Sequence, residues 1–350
     1  MKPLVSILIS AYNAEEWIGD SLQSAIAQTW PRKEIIVVDD GSTDRTAEVA
    51  RRFASKGVTI VSTENRGLSA GLNRAYEHSH GDYIQYLDAD DLLAPDKIER
   101  QLAELRVGDS RRVLLSSPWA PFYYRTRHAR FVRNSLCQDL SPVEWLLRKM
   151  GEGIHMQNAT WLVSRELVEA AGPWNTGLHY DQDGEYFSRV LLTSEGTRFV
   201  PGTGIFYRAT GPGSISYIGR SDKKRDSLFL SMRLHIEYLR SLEESDRVRK
   251  ACLSYLQIWY PFFCPARPDI VAELQNLATQ LHGHLEKPHL RWKYAWMKPV
   301  FGRKAATWAQ ITLPHLKCSW VRHCDKAMYW LEARRALLAT PPVMNATQGE

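Results

Sequence analysis

The chain has 350 residues, 44% of them hydrophobic and 24% charged, with five cysteines and a net charge of +6. That balance belongs to an ordinary globular protein with room for one large domain and an appendage, or two domains. Neither a secretory leader nor an apolar stretch of membrane-spanning length is visible, and the odd, unpaired cysteines suit reduced thiols. Secreted disulfide scaffolds and membrane-spanning classes are therefore excluded, and a cytoplasmic protein is expected.

The first third alternates strand and helix patterns. Leu4–Ser10 reads as a buried strand and Ala14–Gln28 as an amphipathic helix with Trp17, Ile18, Leu22, Ala25 and Ile26 on one face. Strands are expected at Glu34–Asp39, Val58–Ser62 and Tyr83–Leu87, with helices at Thr43–Ser55 and Leu68–His78. Such alternation predicts an α/β fold, a mainly parallel Rossmann-like sheet with helices on both faces, whose ligands bind at the carboxyl ends of the strands. Beyond it, a helix at Pro95–Arg106, a strand at Val113–Ser117, an aromatic, basic hairpin over Phe122–Val132 and a helix at Ser141–Met150 follow. Next come a strand at Asn158–Ser164, helices at Arg165–Ala171 and Asp183–Thr193, and short strands at Phe199–Val200 and Gly204–Arg208. After Ser221 the pattern turns helical and basic, clearest at Ser227–Ser241 and Val248–Trp259. Gly211-Pro212-Gly213-Ser214 reads as the junction, so the expected organisation is a catalytic domain over 1–215 and a helical region over 216–350.

Three polar clusters fall at the ends of three predicted strands: Tyr12-Asn13, Asp39-Asp40-Gly41-Ser42 and Asp88-Ala89-Asp90-Asp91. A strand that delivers several carboxylates to one point suits Mg²⁺ or Mn²⁺, ions that usually hold phosphate oxygens as well. Asp39 or Asp40 can accept hydrogen bonds from the base or ribose of a nucleotide, and Tyr12 offers an aromatic face.

Taken in order, Val5–Asn13, Gln28-Thr29-Trp30, Glu34–Asp44, Asn65–Asn73, Gly81–Ile84 and Asp88–Asp91 closely resemble glycosyltransferase family 2, over about residues 3–215. The resemblance implies the GT-A fold and inverting transfer from a nucleotide-activated sugar, UDP-linked as first choice. It implies that Tyr12 and Asp40 hold the base and that Asp88 and Asp90 are the ends of the Asp-x-Asp motif. Of these, Asp90 is the direct metal ligand and Asp88 lies nearer the sugar and ribose. Asp91 stabilises the turn, and the Asn65–Asn73 segment runs past the ribose and phosphates. Asp181-Gln182-Asp183 resembles the segment that carries the catalytic base; Asp183 stands six residues before Arg189, with Asp181 as the alternative. Arg208 and Gly211–Ser216 resemble a loop that folds over the pyrophosphate. Trp119, Tyr123, Tyr124, Trp145, His155 and Trp161 offer rings for an acceptor sugar, with core packing the expectation for Trp145 and Trp161.

The implied partners are a nucleotide-sugar donor and a glycan or lipid-linked acceptor, in cell-surface polysaccharide or glycoconjugate synthesis. A catalytically degenerate nucleotide-sugar binding module and a nucleotidyltransferase remain alternatives, although Ser10–Asn13 is no phosphate loop of the latter class. Between Glu286 and Leu337 eleven Lys or Arg face three acids, interleaved with Trp292, Trp296, Trp308, Trp320 and Trp330. Such a tail packs on its own fold or lies against an anionic membrane surface, which would make the protein peripheral at the inner face of the plasma membrane. No nucleic-acid partner is expected. His315, Cys318, His323 and Cys324 fit no zinc spacing and read as coincidence on a helix.

Overall fold

The computed structural model describes residues 2–106, 108–211, 217–219, 221–286 and 292–339. Strand β1 (Val5–Ala11) is buried along its whole length because it lies between two parallel neighbours, β2 (Lys33–Asp40) and β4 (Tyr83–Tyr86). Ile7 stands beside Ile35 on one side and Gln85 on the other. With β3 (Val58–Thr63) and β8 (Val163–Ser164) they form a sheet ordered β3-β2-β1-β4-β8, parallel except for β8. Helices α1 (Ile18–Ile26), α2 (Thr46–Arg51) and α3 (Leu68–Glu77) make the crossovers. β5 (Leu92–Leu93), α4 (Lys97–Ala103), β6 (Val113–Ser116), β7 (Trp119–Phe122) and α5 (Pro142–Glu152) precede β8. α6 (Arg165–Ala171), α7 (Gln182–Thr193), β9 (Gly196–Phe199) and β10 (Ile205–Arg208) follow it. A second sheet runs β5-β10-β7, and β6 pairs with β9 in parallel.

Strand parity sorts the core into two layers. Ile7, Ile9, Ile35 and Val37 bury with Ile18 and Leu22 of α1, while Leu8, Ile36 and Val38 bury on the other face with Leu72 of α3 and Phe187 of α7. That second layer continues into α8 (Asp222–Leu242), α9 (Asp246–Trp259) and α10 (Pro268–Gln280) through Leu228, Met232, Ile236, Leu256 and Leu274. Helices α5, α6, α8 and α9 each open on a serine whose Oγ accepts a backbone N–H three residues on: Ser141, Ser164, Ser221 and Ser245. Each such cap satisfies one of the donors that a helix start leaves over.

Contacts divide the chain into two compact units, residues 1–121 with 130–288, and 122–129 with 289–350. The expected junction at 215/216, with most of the Gly211–Ser216 loop, lies outside the described residues. In the second unit α11 (Trp292–Ala295) leads to α12 (Met297–Ala339), which breaks at Gly302. The expected hairpin at Phe122–Val132 does not form. The backbone N–H groups of Tyr124 and Arg125 instead donate to Asp325 Oδ2, at 2.9 and 3.2 Å, so the segment finds its partners on α12. Arg125 adds side-chain pairs to Asp325 and Glu332, each at 2.7 Å.

Cys318 and Cys324 are exposed thiols, the His315 side chain lies outside the described residues, and no metal-binding cluster is found among those that are described. Trp296, Trp320 and Trp330 are 62%, 69% and 61% exposed. The side chains of Trp292 and Trp308 lie outside the described residues. No described helix is long and apolar enough to cross a membrane.

Candidate active site

The carboxyl ends of β1, β2 and β4 and the first turn of α7 open on one cleft of about 1010 Å³. Tyr12, Asp40, Asn65, Asp88, Asp90, Asp181 and Asp183 all line it. Asp39 does not. One residue before Asp40 on β2, it follows Ile35 and Val37 onto the opposite face, where it is buried with Oδ1 unpartnered.

Asp40 is 2% exposed and commits both carboxylate oxygens to backbone. Oδ1 accepts the N–H of Arg66 at 2.9 Å and Oδ2 that of Gly67 at 2.8 Å. This clamp draws the Asn65–Gly67 loop over the end of β2. Gly41 makes the approach possible: it sits at φ +69°, and a Cβ there would stand 2.7 Å from the Asn65 nitrogen. Tyr12 is half exposed above the loop at the end of β1. Asn13 joins the two strand ends by accepting the Thr43 N–H at 2.8 Å and donating its own N–H to Ser42 Oγ at 3.0 Å.

At the end of β4, burial and the nearby Asp90 carboxylate push Asp88 up to about 7, although Asn158 donates to its Oδ1 at 3.0 Å. Asp90 is raised by burial against the opposing pull of Arg208. Asp91 is fully buried and raised well above the usual range by burial and by Asp90 and Asp88. Its Oδ1 accepts the Arg208 backbone N–H at 2.7 Å, and its own N–H closes a turn on the Asp88 carbonyl at 3.1 Å. Arg208, 3% exposed at the end of β10, donates Nε to the Asp90 carbonyl at 2.7 Å and lies over the Trp17 ring.

Across the cleft, Asp181 caps α7 in the left-handed region at φ +58°. Burial and then the neighbouring Asp181 raise Asp183, which His155 and Lys149 pull back down.

Trp119 and His155 face each other at 5.5 Å, and both line the cleft. Trp145 and Trp161 reach it too but are 3% and 1% exposed, held at 5.6 Å from one another in the core. Tyr123 and Tyr124 belong to the second unit.

Sequence reading missed Asn158, because the expected strand over Asn158–Ser164 shrinks to two residues. A single turn at Asn158–Thr160 replaces its start and aims the Asn158 amide at Asp88. It also missed Lys149, Ser231 and His235, which the fold gathers beneath Asp181.

Mg²⁺ and Mn²⁺ fit this corner. The Asp90 carboxylate raises the proton affinity of Asp88, an effect that a hard divalent cation reverses. No group of three or more carboxylates, histidines or cysteines positioned for a metal is found among the described residues. The protein would then supply Asp88 and Asp90, and the diphosphate and water the remaining oxygens, the usual arrangement for Mg²⁺.

Residues 6–136 match the sequence model of glycosyl transferase family 2. An uncharacterized glycosyltransferase of Rickettsia typhi is 31% identical over 199 residues, covering 55% of this chain and 60% of the relative. The putative teichuronic acid biosynthesis glycosyltransferase TuaG of Bacillus subtilis is 38% identical over 104 residues, covering 29% of this chain and 41% of TuaG. The chain thus spans 60% or less of these relatives' lengths. Among solved structures, S. aureus TarS 1-349 in complex with UDP-GlcNAc superposes with a TM-score of 0.63 at 16% identity, covering 79% of this chain and 81% of TarS. The mannosyltransferase PcManGT of Pyrobaculum calidifontis, in complex with GDP-Man and Mn²⁺, gives 0.51 at 19% identity, covering 89% and 88%. At such identity these two speak for the fold alone, and the fold is the GT-A fold. Over residues 6–136 the chain is thus similar in sequence to glycosyl transferase family 2, and it carries the GT-A fold.

Proposed function

We propose that the chain transfers a sugar, with inversion, from a nucleoside diphosphate, UDP as first choice, to a hydroxyl of a glycan or lipid-linked acceptor in cell-surface polysaccharide synthesis. The observation that carries this reading is the pairing, within one cleft, of the Asp88–Asp90 corner with Asp183 on α7. The names of TuaG and of the two solved complexes support the product class and the donor class.

Tyr12 stacks on the base, and the Asn65–Gly67 loop, clamped by Asp40, borders the ribose and phosphates. Asp39 keeps the β2 end in register from the opposite face. Asp88 and Asp90 would hold a divalent ion, which when bound would neutralise charge on the departing diphosphate. Asp183 takes the proton of the acceptor hydroxyl as its oxygen bonds to the anomeric carbon, and the bond from that carbon to the diphosphate oxygen breaks with its electron pair on the leaving group. Approach opposite the leaving group inverts the centre, and no covalent intermediate forms. Asp181 holds the turn that carries Asp183.

The acceptor reaches the cleft from a membrane. Exposed Trp296, Trp320 and Trp330 among basic residues support an interfacial surface on the second unit, with the protein peripheral at the inner face of the plasma membrane in this reading. Equal co-sedimentation of full-length and tail-truncated protein with anionic vesicles would remove that part of the proposal.

The transfer reading is tested by incubating the protein and Mn²⁺ with UDP-GlcNAc, UDP-glucose and GDP-mannose and following the released sugar by NMR. Release of the inverted anomer from one donor, abolished in Asp183→Asn, supports it. No release from any donor, together with tight nucleotide binding, would favour the degenerate binding module.

A further inference from the structure

Beneath the first turn of α7 runs a buried polar chain that the transfer chemistry does not use. Lys149 of α5 is 6% exposed, and its Nζ lies 2.6 Å from His235 Nε2 and 3.2 Å from the Gly184 carbonyl. Fully buried His235, on α8, has Nδ1 at 3.2 Å from Ser231 Oγ and 3.3 Å from the Tyr255 hydroxyl. Ser231 Oγ in turn donates to Asp181 Oδ2 at 2.5 Å.

His235 Nε2 also lies 2.9 Å from the Gly184 carbonyl, so the direction of the chain turns on which ring nitrogen carries the imidazole proton. An ammonium at Lys149 donates to the Nε2 lone pair, which fixes the proton of neutral His235 on Nδ1. Nδ1–H then points to Ser231 Oγ, and the serine proton points to the Asp181 carboxylate. A buried ammonium is costly unless its charge is answered. Here the answering carboxylate, Asp181, is reached across two side chains, His235 and Ser231.

The chain terminates on a strained point. Asp181 is in the left-handed region, and its carboxylate folds back over Gly184 so closely that a Cβ on Gly184 would stand 2.1 Å from Asp181 Oδ1. Position 184 therefore accepts only glycine while Asp181 keeps this rotamer. Asp183 lies between these two residues, so whatever fixes Asp181 on Gly184 also fixes Asp183.

We propose that Lys149, acting through His235 and Ser231, is a positioning residue for the transfer site: it locks Asp181 onto the first turn of α7 and so holds Asp183 toward the cleft. This rests on reading Asp183 as the base. The charges that face Asp183 are Asp181 on its own turn, His155 from the loop after α5, Lys149 from α5, and Asp88 from the end of β4. Neutral His235 from α8 and the Tyr255 hydroxyl from α9 complete the surround. Of these, Lys149 is the buried cation, while His155 is exposed.

The test compares wild type with Lys149→Met, and with Ser231→Ala and its conservative partner Ser231→Thr. Donor turnover is followed with UDP-GlcNAc and Mn²⁺ across pH. In parallel, the Asp183 carboxyl ¹³C shift, assigned by its loss in Asp183→Asn, is titrated without donor. In Lys149→Met, the acidic limb of kcat/KM and the ¹³C midpoint both move up by about one pH unit. Ser231→Ala lowers kcat about tenfold with KM for the donor unchanged, and Ser231→Thr restores it. Should Lys149→Met fail to fold, the serine pair decides the same point.

An unmoved limb and midpoint in Lys149→Met, with only a uniform loss of active protein, would overturn the proposal, as would a Ser231→Ala enzyme with wild-type kcat. Absence of turnover in wild type would count against the transfer reading, while the ¹³C midpoint would still decide the link from Lys149 to Asp183.

Discussion

Replacing Asp40 by asparagine separates two roles that a strand-end aspartate can play. The carboxylate is 2% exposed and accepts the Arg66 and Gly67 N–H groups, one on each oxygen, at 2.9 and 2.8 Å. Asparagine keeps the shape but turns one oxygen into a donor that faces another donor. One charge-assisted bond, worth about 1.5–3 kcal/mol, is lost, and its N–H is left buried without a partner. The second bond survives as a neutral one at about half its strength. The sum is a loss of about 3 kcal/mol in the nucleotide-free protein, a large share of the ~5–15 kcal/mol typical of a domain. Equilibrium urea unfolding of wild type and Asp40→Asn reads it directly, and a UDP titration of both proteins reads the consequence for the Asn65–Gly67 loop. If Asp40→Asn unfolds within about 0.5 kcal/mol of wild type and loses only nucleotide affinity, then Asp40 is a base reader and not a loop clamp.

Asp183→Asn is expected to leave folding and nucleotide binding intact and to lower transfer by about 10²–10⁴-fold, measured as kcat with saturating donor. Because the base works deprotonated and its ionisation is raised by burial and by Asp181, wild-type kcat/KM should fall as pH drops through that raised value. A flat profile across the acidic range would contradict the assignment. Asp88 carries a second pH effect: raised from 3.8 to about 7, first by burial and then by Asp90, it binds a proton more tightly folded than unfolded. Its contribution is therefore present at low pH and is lost as pH rises toward 7, on the order of 4 kcal/mol in the metal-free protein. Melting temperatures at about pH 5.5 and about pH 8 should show Mn²⁺ stabilising more at the higher pH; equal stabilisation at both would deny a metal at this corner. Arg125→Ala should free residues 122–129 from α12, since Arg125 pairs with both Asp325 and Glu332, and limited proteolysis should then cut there first.

Much of the cleft was legible because the chain announces it locally. Runs such as Val5–Ala11 and Lys33–Asp40 end in or lead directly into polar residues, and parallel strands bring their ends to one edge. What local pattern left open was the choice between Asp39 and Asp40. Strand parity turns Asp40 and not Asp39 toward the cleft, since Asp40 shares a face with Ile36 and Val38, which bury beside α3 and α7. The register that decides parity is fixed only when β2 pairs with β1.

The relay was not legible at all. Lys149, Ser231 and His235 lie on two helices far apart in sequence, and each alone reads as an ordinary polar residue of a helix. Only the docking of α8 and α9 on the same core as α7 brings them together. The hairpin expected at Phe122–Val132 failed for a similar reason: its aromatic and basic alternation suits a strand, but Asp325, about 200 positions away, takes its backbone donors.

The central claim, a metal-dependent nucleotide-sugar site at the ends of β1, β2 and β4, is tested most directly by calorimetric titration. UDP, GDP and dTDP are titrated with and without Mn²⁺ into wild type and Asp90→Ala. The account predicts that one nucleotide binds, that binding strengthens with Mn²⁺, and that the Mn²⁺ gain disappears in Asp90→Ala. Nucleotide binding that is indifferent to both Mn²⁺ and Asp90, or no binding of any of the three, would contradict it.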